Sequence, residues 1–197
     1  MNGLNKEKLF FFNNNASEIK VKPNSLEHAY LAIINKDLES AKIIFSRTDS
    51  PRAKWGKILV SILNGYMKEY PTYFQIRNFF EIDLDFLINN NLIDYVEQCL
   101  GALDVLSKIN QEIYKYTARV MYENKLYKAA LKYMEKSKQI FYNDPELHFM
   151  LAKYYFGINN FSDSYFYINE CLKLLPDYYP ANTLKEKIEQ MSLQEKF

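Results

Sequence analysis

The chain has 197 residues, of which 48% are hydrophobic and 25% are charged, and it contains only five glycines and six prolines. This composition predicts a packed helical protein with short connections, and it argues against a disordered chain or a turn-rich β protein. The formal net charge of +1 argues against a chain-wide field that would attract nucleic acid or an anionic membrane.

The first 24 residues are rich in Asn and Lys and lack sustained periodicity, so we predict a flexible leader there. Its apolar run, Leu9–Phe12, is far shorter than the core of a secretory signal, and no stretch approaches the roughly 18 apolar residues of a membrane span. We therefore expect a cytoplasmic protein that makes no membrane contact. Cys99 and Cys171 have no CxxC neighbour, so we expect two buried thiols rather than a disulfide or zinc site.

From residue 25 onward apolar residues recur with a helical period, and no strand is needed. Ser50-Pro51 and Asp144-Pro145 are typical helix starts, because a capping side chain precedes a proline. A long helix beginning near Pro71 is expected to end at Asn89–Asn91, since Asn tolerates turn conformations. About ten helices with short links, hence antiparallel neighbours, are predicted over residues 25–35, 37–45, 49–63, 71–89, 92–109, 111–123, 126–142, 145–157, 161–175 and 180–192.

Residues 111–144 align without a gap on residues 145–178, a spacing of 34 residues. Small residues recur where two helices must approach closely, and large residues recur where the space between helices must be filled. The small positions hold Ala118 and Ala152 in the first helices and Ala130 and Ser164 in the second helices. Large aromatic residues, Tyr127 and Phe161, open the second helix of each unit.

This pattern resembles the tetratricopeptide repeat (TPR), a helix–turn–helix of the same length. Pro176 matches the proline that ends a TPR unit, whereas Tyr142 takes that place in the preceding unit. The resemblance implies an all-α fold in which antiparallel helix hairpins form a right-handed α-solenoid. It implies one repeat domain over 25–197, with a degenerate half (25–110), regular units (111–178) and a capping helix (179–192).

The resemblance also implies a function, because in TPR proteins the first helix of each repeat lines a concave groove that holds peptides or partner helices. Lysine, arginine and aromatic side chains at these positions form a cationic, aromatic-lined strip, which predicts a protein or peptide partner that is acidic or carries aromatic residues. Ordinary packing between repeats is the alternative interpretation of the strip. The candidate binding residues are Lys115, Arg119, Tyr122, Phe149, Lys153, Phe156, Glu81 and Asp85.

Catalytic and metal-binding motifs such as HExxH, GxSxG or a Gly-rich phosphate loop are absent from the sequence. His148 is expected to pack in or near the core, and the carboxylate cluster of Glu81, Asp83 and Asp85 is expected to be solvated. We therefore predict a non-enzymatic scaffold or adaptor without a cofactor. Two alternatives stay open: a self-associating subunit that uses residues 72–80, and an RNA-binding helical repeat, which the balanced charge disfavours.

Overall fold

In a computed structural model of the chain, residues 25–194 are described. The predicted leader, residues 1–24, lies outside them. Every regular element in the described residues is helical, so the predicted all-α fold is confirmed. None of these helices is long and apolar enough to cross a membrane.

The described helices follow one another through short turns. They are α1 (Leu26–Ile34), α2 (Leu38–Ser46), α3 (Pro51–Leu63), α4 (Tyr73–Gln75), a π-helical segment (Ile76–Phe80), α5 (Glu81–Asn89), α6 (Ile93–Gly101), α7 (Leu103–Leu106), α8 (Ile113–Glu123), α9 (Tyr127–Ile140), α10 (Pro145–Gly157), α11 (Phe161–Leu174) and α12 (Tyr179–Gln194).

The chain divides into two compact units, Met1–Val60 and Ser61–Phe197. In the first unit α1 and α2 pair as a hairpin, and the ring of Tyr30 meets the ring of Phe45 edge-on at 5.5 Å. A Cβ atom at Gly56 in α3 would lie 2.5 Å from that Phe45 ring. Glycine is therefore required where α3 approaches Phe45. The single domain over 25–197 stays a prediction.

In the second unit three helix hairpins follow one another: α5 with α6, α8 with α9, and α10 with α11. Each pair is joined by a turn whose central residue has a positive φ, at Asn91 (56°), Lys125 (62°) and Asn159 (60°). These residues are spaced by 34 positions. In each turn the N–H of this residue bonds to the carbonyl three residues earlier, and the next N–H bonds to the carbonyl five residues before it. The same helix-ending Schellman turn thus extends the 34-residue register back to α5 and α6.

The predicted small positions lie at the centre of these hairpins. Ala118, Ala130, Ala152 and Ser164 are fully buried, and the Ser164 hydroxyl donates a hydrogen bond of 2.8 Å to the carbonyl oxygen of Ala152. This bond joins α10 to α11 at their point of close approach. Small side chains at these positions are therefore a packing requirement, as the sequence predicted.

Helix starts agree with the predicted caps. Asp144 accepts hydrogen bonds from the N–H groups of Glu146 and Leu147 at 2.9 and 3.2 Å, ahead of Pro145. The Ser50 hydroxyl oxygen accepts from the Ala53 N–H at 3.1 Å.

The structure refines the predicted helices at two points. The helix expected over 92–109 is interrupted at Ala102, whose N–H bonds to the carbonyls of both Gln98 and Cys99, next to the poor helix former Gly101. The helix expected from Pro71 begins at Tyr73, because Thr72 and Gln75 form a reciprocal capping box.

Candidate partner-binding face

The first helices of the three hairpins present equivalent positions on one side, which we call the α5/α8/α10 face. Four rows of residues cross it, each row spaced by 34 positions along the chain. From the start to the end of the helices the rows are Asn78, Glu112 and Glu146; Glu81, Lys115 and Phe149; Asp85, Arg119 and Lys153; Ile88, Tyr122 and Phe156. The rows bring together all eight residues that the sequence singled out.

Arg119 connects all three helices of this face. One guanidinium nitrogen donates to both carboxylate oxygens of Glu81 in α5, at 3.0 and 2.8 Å, and the other pairs with Glu146 in α10. Burial raises the pKa of the Glu81 carboxyl, although the Arg119 charge opposes this effect. The pKa of Arg119 is also raised, because the two carboxylates outweigh the cost of its desolvation.

Lys115 lies one turn earlier in α8, and only 7% of its surface is exposed. Its ammonium group contacts Asp144 at 2.7 Å and also Glu112 and Glu146, each at 3.4 Å. Desolvation acts to lower the pKa of Lys115, but the hydrogen bond and charge of Asp144, with the other two carboxylates, raise it overall. Asp144 therefore both caps α10 and neutralises a buried cation.

Glu112 is a second shared acceptor at the start of α8. The hydroxyl groups of Tyr116 and Tyr73 donate to its Oε2 atom at 2.8 and 3.1 Å, and Lys115 approaches its Oε1 atom. Desolvation acts to raise the pKa of Glu112, but the Tyr116 hydrogen bond, the Lys115 charge and the Tyr73 hydrogen bond outweigh it, and the pKa is lowered. Glu112 is therefore ionised at neutral pH.

Lys153 differs from the other two cations of the face, because it is exposed and makes no salt bridge with a described carboxylate. Its ammonium group lies 4.9 Å from the ring centre of Tyr122 and 5.8 Å from that of Phe149. Such cation–π contacts contribute about 0.5–1 kcal/mol at exposed sites. They hold Lys153 between the rings of neighbouring hairpins.

Ile88, Tyr122 and Phe156 form the last row, and each is half-buried. Their carbonyl groups accept the N–H of the positive-φ residue in the three turns, so their backbone positions are equivalent. Ring contacts continue the row into the second helices, with Tyr122 against Tyr127 at 5.3 Å and Phe156 against Phe161 at 5.7 Å. An apolar row thus crosses three hairpins beside Lys153.

The strip is not cationic as a whole, contrary to the expectation from sequence. Lys115 and Arg119 are enclosed by carboxylates of the face. With Asp144 included, five carboxylates (Glu81, Asp85, Glu112, Asp144 and Glu146) stand against the three cations Lys115, Arg119 and Lys153.

The cluster of three acids predicted in α5 is divided by the fold. Glu81 and Asp85 both face α8, where Asp85 accepts a hydrogen bond of 2.8 Å from the Asn124 side chain. Asp83 is instead buried, with 1% of its surface exposed. Two residues turn a helix by about 200°, so this separation follows from the helical period. Among the described residues no group of His, Cys, Asp and Glu side chains is placed to hold a metal ion.

The remaining titratable core residues have packing roles. His148 is buried, as predicted, and its Nε2 atom lies 2.7 Å from the carbonyl oxygen of Tyr142. Cys99 and Cys171 are both buried free thiols. Burial raises the pKa of the Cys99 thiol, to which the charge of Asp83 adds, and burial raises that of Cys171 to about 11. Neither thiol is prepared for nucleophilic chemistry.

No protein-family model matches the chain, and no curated protein matches it. Among solved structures, the C-terminal part of a TPR repeat-containing protein from Cytophaga hutchinsonii is similar to this chain. The TM-score is 0.45 at 14% sequence identity, over 83% of this chain and 70% of that one. A structural similarity at this TM-score and sequence identity supports no argument about the function of the chain.

Proposed function

We propose that the chain is a non-enzymatic helical scaffold that binds a protein or peptide partner on the α5/α8/α10 face. The strongest support is the repetition of equivalent positions in four rows across three successive hairpins, where every side chain except that of Lys115 is at least partly exposed. The apolar row of Ile88, Tyr122 and Phe156 is partly exposed and Lys153 is exposed, so this part of the face is accessible to a partner. A surface of this kind suits an extended segment or a partner helix.

The face is also ordered before any partner arrives. Arg119 and Lys115 tie its three helices together through four carboxylates, and the ring contacts hold Lys153 in place. Binding to side chains that are already fixed avoids much of the ordering cost, which is about 0.5–1.5 kcal/mol for each immobilised side chain. The ion pairs therefore support recognition by shape, while the apolar row supplies contact area.

Three earlier expectations about this scaffold stay predictions. Aromatic or apolar side chains in the partner agree with the row of Ile88, Tyr122 and Phe156. An acidic partner has less support, because only Lys153 is left to meet it. The cytoplasmic location is the third.

The function is tested by capturing partners from a lysate of the native organism with the full chain and with Lys153→Glu and Tyr122→Ser variants. Lys128→Glu is a matched control, because Lys128 is exposed on α9 rather than on the face. We expect the same partners with wild type and the control, loss of them with Tyr122→Ser, and an altered yield with Lys153→Glu, because the charge beside the apolar row is reversed. Undiminished capture by both face variants would contradict the assignment of the face.

Self-association is a second candidate, because four aromatic residues lie close together in sequence at the start of the second unit. Tyr70 and Phe74 are 67% and 68% exposed, and Tyr66 and Tyr73 are also exposed. Exposed aromatic clusters are common at protein interfaces. We expect a concentration-dependent rise in mass by light scattering that Phe74→Ser reduces; a constant monomer mass at all concentrations excludes this candidate. No observation favours RNA binding.

A further inference from the structure

We propose that the partner segment of the α5/α8/α10 face has one apolar edge and one basic edge. The apolar edge lies on Ile88, Tyr122 and Phe156, and the basic edge lies on Glu112 and Glu146. This inference rests on the proposed function and reverses the sign of charge that the sequence suggested for the partner.

The apolar row fixes where the segment sits. Ile88, Tyr122 and Phe156 are half-exposed and occupy equivalent positions in three hairpins. Phe156 also packs on the core of α10, α11 and α12, so its ring is held rigidly. Rigid aromatic residues with partial exposure are the common anchors of protein interfaces.

The charges fix the polarity of the segment. Side-chain exposure is 9% for Lys115 and 28% for Arg119, against 31% for Glu112 and 46% for Glu146. Glu81 (28%) and Asp144 (16%) are no more exposed than Arg119, so it is at Glu112 and Glu146 that a partner meets carboxylate oxygens before it meets the cations. Glu81, Glu112, Asp144 and Glu146 outnumber Lys115 and Arg119 by two charges, which favours Lys or Arg side chains in the partner.

Lys153 fixes the orientation of the segment. It lies between the acidic rows and the apolar row, against the Tyr122 ring, and it repels a cation placed there. Glu146 and Phe156 are ten residues apart in α10, which is about 15 Å at the helical rise. A partner helix about 10 Å wide, with long basic side chains on one edge, spans this separation.

The test is panning of a random 12-residue peptide display library against the full chain, followed by fluorescence anisotropy with the synthesised winners. We expect the selected peptides to be enriched in Lys or Arg together with aliphatic or aromatic residues. Glu146→Gln and Glu112→Gln should each weaken their binding by up to about fivefold, because partly exposed charge pairs contribute up to about 1 kcal/mol. Glu186→Gln, an exposed acid on α12, is the matched control and should leave binding unchanged.

The outcomes separate this inference from the proposed function. Selected peptides that are acidic and that lose binding to Tyr122→Ser would contradict the basic edge of the partner, but they would still support the binding face. Selected basic peptides that bind wild type and Glu146→Gln with equal affinity would also contradict the basic edge. Selected peptides whose affinity is unchanged by Tyr122→Ser and by Lys153→Glu would contradict both the basic edge and the binding face. A failure to enrich any peptide would contradict both as well. Circular dichroism of every variant checks that the helices are retained.

Discussion

Arg119→Met removes the cation that joins α5, α8 and α10 while keeping a side chain of similar length. Glu81 then loses both of its charge-assisted hydrogen bonds, at 3.0 and 2.8 Å. Breaking a buried ion pair by removing one partner costs about 3–5 kcal/mol. Because 28% of each side chain is exposed, solvent screens part of this cost, and we expect a loss of about 2 kcal/mol in the free energy of unfolding at pH 7.

The loss should depend on pH in a defined direction. Burial already raises the folded-state pKa of Glu81 above its ordinary value of 4.5, and removal of Arg119 raises it further. Stability from a carboxyl with a raised pKa is present at low pH and is lost as pH rises through the folded-state value. The deficit of Arg119→Met should therefore grow between about pH 4 and pH 7.

Urea unfolding followed by circular dichroism at several pH values measures this deficit. Lys153→Met is the control, because Lys153 is exposed and pairs with no described carboxylate. The double variant Glu81→Gln/Arg119→Met should recover part of the loss, because residue 81 then carries no charge that lacks an ion-pair partner. A deficit at pH 7 no larger than that of Lys153→Met, or one equal at pH 4 and pH 7, would refute this account of Arg119.

Three further stability changes follow from packing and backbone geometry, each measured by urea unfolding. Gly56→Ala places a Cβ atom 2.5 Å from the Phe45 ring and should cost about 1–3 kcal/mol; a neutral result would contradict the close approach. Ser164→Ala removes the buried 2.8 Å hydrogen bond to Ala152 and should cost about 1 kcal/mol, whereas an unchanged midpoint would count against that bond. Lys125→Gly relieves a φ of 62° and should stabilise by about 0.5–1 kcal/mol; destabilisation would argue against the left-handed turn.

Features set by neighbouring residues could be predicted from the sequence. The caps at Ser50 and Asp144 and the turn at Asn91 depend on a few adjacent side chains and backbone groups. The small positions of the repeat could be predicted because Ala130 and Ser164 are 34 residues apart, which is also the spacing of successive helix hairpins. The π-helical segment at 76–80 has no such signal in the sequence.

The electrostatics of the face could not be predicted in the same way. Arg119 pairs with Glu81 across 38 residues and Lys115 pairs with Asp144 across 29, so these pairs exist only once the hairpins stack. The local sequence around Lys115 and Arg119 therefore does not indicate which carboxylates pair with them. The position of Asp83 could have been predicted, since helical geometry alone places it opposite Glu81 and Asp85.

Backbone amide chemical-shift mapping with a selected peptide tests the binding face most directly. We expect the largest shifts at positions spaced by 34 residues in α5, α8 and α10, at Ile88, Tyr122 and Phe156 and at the starts of the same helices. Shifts concentrated on the second helices, α9 and α11, with no change at these three residues, would contradict the account.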